Sequence, residues 1–282
     1  MKELSGRVAV VTGAGGGIGE GIALAAADAG MKLVCADIEA ENVERVAERI
    51  RGGGGEAIGV ACDVTDPSAL EALAASAFAT FGGAHLLCNN AGVLVNGPLA
   101  DSTDDEWRWL LGVNLHGVMN GVRAFVPRMR GQEGGGHILN TGSLASLLPL
   151  ENTGIYCGTK YSVLAISEVL AQELSGDGIG VSILCPGGVD TQINQAARNR
   201  PAEFGGPETS PNALSVAEEA EQHSLGGDLS RVLSPREVGD IALAGVRAGA
   251  LYIPTHPAWK DAVAARFEQI LAGFDGTAER LA

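Results

Sequence analysis

Thr12-Gly13-Ala14-Gly15-Gly16-Gly17-Ile18-Gly19 lies between an apolar run and a helical pattern. Glycines there let the backbone turn sharply and come close to a ligand. The helix start beyond them offers free N–H groups and the positive end of a dipole, a seat for a pyrophosphate. The spacing Gly13-x3-Gly17-x-Gly19 differs from the commoner G-x-G-x-x-G, and a lone glycine loop also reads as a plain turn. Its place after a strand and before a helix favours the ligand. Asp37 follows Gly17 by 20 residues. A carboxylate there can accept hydrogen bonds from both adenosine ribose hydroxyls, and it repels a 2′-phosphate. No Arg or Lys adjoins Asp37 in the sequence or lies in the glycine loop, so the pattern favours NAD over NADP. Capping the helix over 39–51 is the competing use of Asp37. Asp63-Val64 stands where an adenine could lie, and Asp63 reads equally well as a turn cap before Pro67. Tyr156 and Lys160, four residues apart in a helical stretch, share one face. Alone they would pass for an ordinary surface pair.

These positions are far apart in the chain, so a regular scaffold must gather them. Apolar, strand-like runs cover 7–12, 31–37, 57–64, 85–89, 137–143, 180–185 and 251–253. Helical patterns cover 18–29, 39–51, 68–81, 103–130, 155–174 and 235–248. Short, nearly continuous apolar strands alternating with helices imply a parallel sheet covered on both faces. Right-handed crossovers then give an α/β, doubly wound fold of seven parallel strands, expected as one domain over 1–282. The segment 191–234 interrupts the alternation with Pro201, Pro207 and Pro211. It exceeds ordinary loop lengths and reads as a substrate lid, with a short helix expected over 211–223.

Composition narrows the partners. The 282 residues carry 19 Lys+Arg against 34 Asp+Glu, a net charge of −15. Such a surface does not suit phosphate backbones or anionic lipid, so neither nucleic acid nor membrane is an expected partner. With 46% hydrophobic residues the chain can bury a large core. No apolar run approaches a membrane span, and the start of the chain has no signal-peptide core, so a cytoplasmic protein is expected. Cys35, Cys62, Cys88, Cys157 and Cys185 form no CxxC pair and read as reduced, small hydrophobes. His116, His137 and His223 lack metal-ligand spacing, and no metal is expected.

The glycine loop, Asp63-Val64, Asn89-Asn90-Ala91-Gly92, Ser143, Tyr156-x-x-x-Lys160 and Pro186-Gly187 occur in that order. Each stands at an expected strand end or helix start. The ordered set resembles the short-chain dehydrogenase/reductase family over residues 5–191. The resemblance implies a Rossmann fold, a nicotinamide cofactor and a catalytic Ser143–Tyr156–Lys160 centre assisted by Asn114. A phenol with a pKa of about 10 is a poor base at neutral pH. A neighbouring ammonium, and the cationic nicotinamide when bound, lower that pKa. By the resemblance, Tyr156 takes the alcohol proton as the carbinol hydride passes to the nicotinamide. Ser143 orients the substrate oxygen. Lys160 holds the nicotinamide ribose, and Asn114 links Lys160 to solvent through its backbone and a water. Gly13, Gly17, Ile18 and Gly19 belong to the pyrophosphate loop, and Asn90 and Gly92 line the cofactor. Pro186, Val189 by its backbone and Thr191 by its side chain reach the carboxamide. Family members are usually tetramers, so a homotetramer (or homodimer) is expected.

Leu144, Leu147, Leu148, Leu150, Val93, Leu94 and Ile193 are the expected substrate walls, and Gly188 leaves room where many relatives carry a larger residue. Apolar walls favour a hydrophobic secondary alcohol or ketone over a sugar. Trp107 and Trp109 read as packing or interface, and Arg198 and Arg200 as a solvated lid face. Residues 112–129, 197–205 and 250–270 are similar to the Cα-dehydrogenases of lignin-type aryl ethers, which oxidise a benzylic secondary alcohol with NAD. Two rival readings stand beside this one. A 3-oxoacyl-type ketoreductase is opposed by Asp37, since NADPH usually drives reduction. A non-catalytic NAD-binding module is opposed by the intact Ser143, Tyr156, Lys160 and Asn114.

Overall fold

The protein is described here by a computed structural model covering residues 1–207 and 231–281. Seven strands form one sheet: β1 (Val8–Thr12), β2 (Lys32–Asp37), β3 (Ala57–Ala61), β4 (Leu86–Asn89), β5 (Gly136–Thr141), β6 (Ile179–Cys185) and β7 (Tyr252–Pro254). The spatial order is β3-β2-β1-β4-β5-β6-β7, and every pair is parallel. Side chains alternate across the sheet. Val8 and Val10 join one apolar layer, Ala9 and Val11 the other. One layer is closed by α1 (Gly17–Asp28), α2 (Ala40–Gly52) and α7 (Pro235–Ala248); Ile22, Val46 and Val238 are buried there. The other is closed by α3 (Pro67–Phe81), α5 (Gly117–Arg130) and α6 (Gly154–Glu173), with Leu73, Phe125 and Leu170 buried. The strands read as unbroken apolar runs because both faces are covered.

Local chemistry sets the helix ends. Thr103 and Glu106 form a capping box at the start of α4 (Asp104–Leu110), and Ser234 and Glu237 form another before α7, where Pro235 takes the first turn. Helices α1 and α7 cross so closely that a Cβ on Gly21 would overlap the Pro235 carbonyl.

Three expectations need correction. The single helix over 103–130 is divided: a π-turn, Leu111–His116, separates α4 from α5. The wider turn is centred on Asn114, whose buried side chain bonds the chain after β4, so tertiary contacts decide it. The third strand ends at Ala61 because Asp63 turns the chain, accepting from Thr65 N–H at 2.9 Å. A further helix, α8 (Lys260–Leu281), follows the last strand, where no element was expected. The helix expected over 211–223 lies outside the described residues, as does most of the expected lid. The described part of that segment forms 3₁₀ turns at Ile193–Asn199 and Ala202–Phe204. All five cysteines are buried and unbridged, and no described helix is long and apolar enough to cross a membrane.

Candidate active site

Strand order reverses direction between β1 and β4, so the loops at their C-terminal ends separate and leave a crevice. A cavity of about 1070 Å³ occupies it and extends along the same edge of the sheet to the loop after β6.

At one end lies the glycine loop. Gly13 and Gly17 have φ of +67° and +53°, a region that L side chains rarely adopt. Gly17 and Ile18 line the cavity at the N-terminus of α1. Gly19 does not line it; a Cβ there would strike the Gly13 carbonyl, so this glycine lets helix and loop pack together. Asp37 accepts from Gly15 N–H at 2.8 Å through Oδ2 and from Glu39 N–H at 3.0 Å through Oδ1. It therefore holds both the glycine loop and the entry to α2 while facing the cavity.

Two arginines near Asp37 escape a reading by adjacency. Arg45 on α2 donates to the Gly15 carbonyl at 2.9 Å and to Glu20 at 2.9 Å. The absence of a basic neighbour holds along the sequence but not in space. Arg198 is not merely a solvated lid residue: it pairs with Glu39 at 2.9 Å, and both line the cavity. That pairing is the first cause holding the Glu39 carboxyl below its ordinary pKa. Arg200 is buried and stacks over Trp109. Asp63 works as a turn residue and, with Val64, still lines the cavity.

A polar seam joins the strand ends. Thr12 Oγ1 accepts from Asn90 N–H at 3.0 Å, Asn90 Nδ2 donates to Thr12 O at 3.0 Å, and Thr141 Oγ1 donates to Asn90 Oδ1 at 3.2 Å. This fixes β1, β4 and β5 relative to one another.

At the other end, Tyr156 and Lys160 leave the first turns of α6 and reach the end of β5. Lys160 is 3% exposed, and its ammonium donates to Thr141 O at 2.8 Å. Burial pushes its pKa down to about 8. The ammonium lies 5.5 Å from the centre of the Tyr156 ring. Ser143 follows β5, and its Oγ accepts from Ala145 N–H at 3.0 Å. Gly92 passes over this centre: a Cβ there would sit 3.3 Å from Asn114 Oδ1 and 3.5 Å from Lys160 Nζ. Asn114 is fully buried and does not line the cavity. Its Oδ1 accepts from Val93 N–H at 2.8 Å, and its Nδ2 donates to Val93 O and Thr159 Oγ1. Both ends of that amide are committed to holding the chain after β4 against α6.

Residues 7–202 match the family model described as short chain dehydrogenase. The chain belongs to the short-chain dehydrogenase family. It is 35% identical over 272 residues to a C alpha-dehydrogenase of a Sphingobium species, covering 96% of this chain and 87% of that protein. A short-chain dehydrogenase/reductase from Burkholderia phymatum, solved in complex with NAD, superposes with a TM-score of 0.87 at 39% identity, covering 97% of each chain. LigO from Sphingobium sp. strain SYK-6, in its apo form, gives 0.81 at 34% identity, covering 99% of this chain and 92% of that one.

In this short-chain dehydrogenase, Pro186, Gly188, Val189 and Thr191 line the cavity at the loop after β6, and Ile193 follows them. Of the walls expected from the sequence, Leu144, Leu150, Val93 and Leu94 line the cavity. Leu147 and Leu148 do not. Leu148 packs with Leu144 and Trp259, and Leu147 packs with Val163 and Ile183. Trp109 is more than packing: it is buried against Tyr156 and Phe204 and also faces the cavity. Phe204 and Trp259 also line the cavity, which no motif announced. They lie outside the spaced motifs, and only folding brings them in.

Proposed function

We propose that this chain is an NAD-dependent oxidoreductase that interconverts a hydrophobic secondary alcohol, benzylic or cyclic, with its ketone. The observation that carries the reading is one cavity with two chemistries. Asp37 and the glycine loop line it at one end, and Ser143, Tyr156 and Lys160 line it at the other, with the Lys160 ammonium 5.5 Å from the Tyr156 ring centre.

The residues fit a nicotinamide dinucleotide. Glycines with positive φ leave the loop without side chains where a pyrophosphate would approach. Gly13, Gly17 and Ile18 would hold that pyrophosphate, with Gly19 letting the helix start pack behind them. Asp37 would hold the adenosine ribose, and Asp63 and Val64 the adenine edge. Asn90 and Gly92 would line the middle. Lys160 would hold the second ribose, and Pro186, Val189 and Thr191 the carboxamide. When bound, this cofactor supplies the acceptor for the carbinol hydride.

Tyr156 takes the alcohol proton. Lys160, cationic at neutral pH beside the ring, favours the phenolate. Its pKa of about 8 also lets it pass a proton onward. Ser143 Oγ already accepts from Ala145 N–H, which leaves its own hydrogen to donate to the carbinol oxygen. Asn114 keeps the centre in place with its side chain, so a proton path past it would use its backbone. Trp109, Phe204 and Trp259 with the leucine walls favour an apolar, ring-bearing substrate. The C alpha-dehydrogenase relative and the relative solved with NAD support the same reading. Cytoplasmic location and a homotetramer (or homodimer) belong to it as well.

The test is cofactor reduction by the purified protein across benzylic, monocyclic terpene and steroid alcohols and 3-hydroxyacyl esters. NAD⁺-linked turnover of one apolar class, absent in Tyr156→Phe, is the expected result. Turnover with NADP⁺ alone would overturn the role given to Asp37 and favour the ketoreductase.

A further inference from the structure

His256 lies just beyond β7, outside the residues matched by the family, and nothing in the sequence marks it. It is 7% exposed. Its Nε2 lies 3.0 Å from the Arg231 carbonyl oxygen. A carbonyl only accepts, so Nε2 carries the hydrogen and Nδ1 is the bare acceptor of a neutral ring. That tautomer fits the other side, where Gly187 N–H is shared between Nδ1 at 3.2 Å and Thr255 Oγ1 at 3.3 Å, and Thr255 Oγ1 itself lies 2.6 Å from Nδ1. Burial lowers the pKa of the ring; the bond to the Arg231 carbonyl opposes this, and the Arg231 charge lowers it further. The fit is close: a Cβ on Gly187 would fall 2.8 Å from Nδ1.

Arg231 and Gly187, two of the three partners of this imidazole, flank a small structural joint. Val189 and Leu233 form an isolated parallel bridge. Leu233 N–H donates to Gly188 O and Asp190 N–H to Leu233 O, both at 3.0 Å. This is where the chain leaves the cavity loop after β6 and where it returns. Gly187 precedes the bridge on one side, and Arg231 precedes it on the other. Three residues beyond His256, Trp259 enters the cavity wall beside Leu144.

We infer that His256 is a positioning residue that clamps the departing and returning arms of the 191–234 segment together, fixing the 186–189 loop at the nicotinamide end of the cavity. The inference rests on the oxidoreductase reading for its effect on turnover, and on geometry alone for its effect on the joint. His256 touches neither the reacting atoms nor the cavity; it acts through the Gly187 and Arg231 backbone.

Three variants separate its two bonds. His256→Asn keeps an acceptor near Nδ1 and loses the donor. His256→Gln keeps a donor near Nε2 and loses the acceptor. His256→Ala loses both. The first readout is amide hydrogen exchange in the full-length protein, which needs no substrate. Exchange at Gly187 and Leu233 is expected to speed up in His256→Ala by about tenfold, the scale of one lost buried hydrogen bond. Asn should restore slow exchange at Gly187, and Gln at Leu233. The second readout is turnover and NADH binding. In His256→Ala, KM and the NADH Kd are expected to rise by about tenfold while kcat changes less than threefold, because the reacting groups are untouched. Unchanged exchange at both amides in all three variants would overturn the clamp. So would a loss confined to kcat with KM and Kd unaltered. A wild type that turns over no alcohol would count against the oxidoreductase reading, while the exchange pattern would still decide the clamp.

Discussion

The two ends of the cavity are built on opposite principles. The glycine-loop end is held by backbone amides and exposed ion pairs. Asp37 accepts from two N–H groups, and Arg45 and Arg198 are each neutralised by an acid of the same chain. Exposed pairs of this kind contribute about 0.2–1 kcal/mol each. At the Tyr156 end Lys160 is a deeply buried cation. Lowering Lys160 from 10.5 to about 8 corresponds to roughly 3 kcal/mol spent keeping an ammonium out of water. Under the proposed function, a group held against such a penalty beside a phenol and an apolar wall serves chemistry, and the opposite end serves recognition.

The largest effect that would break this contrast lies at Tyr156. Tyr156→Phe is expected to lower kcat by about 10²–10⁴-fold while leaving NADH binding within a few-fold, read by steady-state kinetics and by fluorescence titration. Loss of binding with kcat intact would reverse the roles of the two ends.

The next effect separates chemistry from stability at low pH. His137 on β5 is buried with its Nε2 2.8 Å from Ser182 Oγ, and burial, with a smaller contribution from the N-terminal charge, lowers its pKa to about 4. The unfolded chain takes up this proton first, near 6.5. The stability tied to the neutral ring is full above that pH and is lost as pH falls towards 4. Urea unfolding should show a loss of about 3 kcal/mol across that window, much reduced in His137→Gln. An unaltered slope in the variant would contradict this.

At the recognition end, Asp37→Ser is expected to shift the NAD to NADP preference in kcat/KM by about tenfold or more, since it removes both the ribose acceptor and the repulsion of a 2′-phosphate. Arg45, already close in space, would favour the shift. An unchanged preference would show that selectivity lies elsewhere. The smallest effect belongs to Arg198→Ala. Weakening of NADH binding should stay below about fivefold and vanish at high salt, because the pair with Glu39 is partly exposed. A larger, salt-independent loss would mean that the recognition end is not held as described.

The same contrast explains what could be read from the sequence. The seven strands were legible because a sheet covered on both faces needs unbroken apolar runs, as in Val8–Thr12. Asp37 was legible because its place after Gly17 is fixed by one strand–helix–strand unit. Tyr156 and Lys160 were legible because four residues is one helical turn. What escaped depends on contacts between distant parts. Arg45 reaches Gly15 only because α2 folds back past the loop, and the π-turn at Asn114 answers to Val93 and Thr159. Trp259 meets Leu144 only after the last strand joins the sheet edge. Helix α8 did leave a signal in the spacing of Phe267, Ile270, Leu271 and Phe274, but those side chains are exposed, so no core face announced it.

The central claim is hydride transfer from an apolar secondary alcohol to NAD under the control of Tyr156. It is tested most directly with a benzylic secondary alcohol carrying deuterium at the carbinol carbon. The account predicts one deuterium in each NADH formed, ketone in equal amount, and both products formed at least about 10²-fold more slowly by Tyr156→Phe. Ketone formed without label in the cofactor, or label appearing only in NADPH, would contradict it.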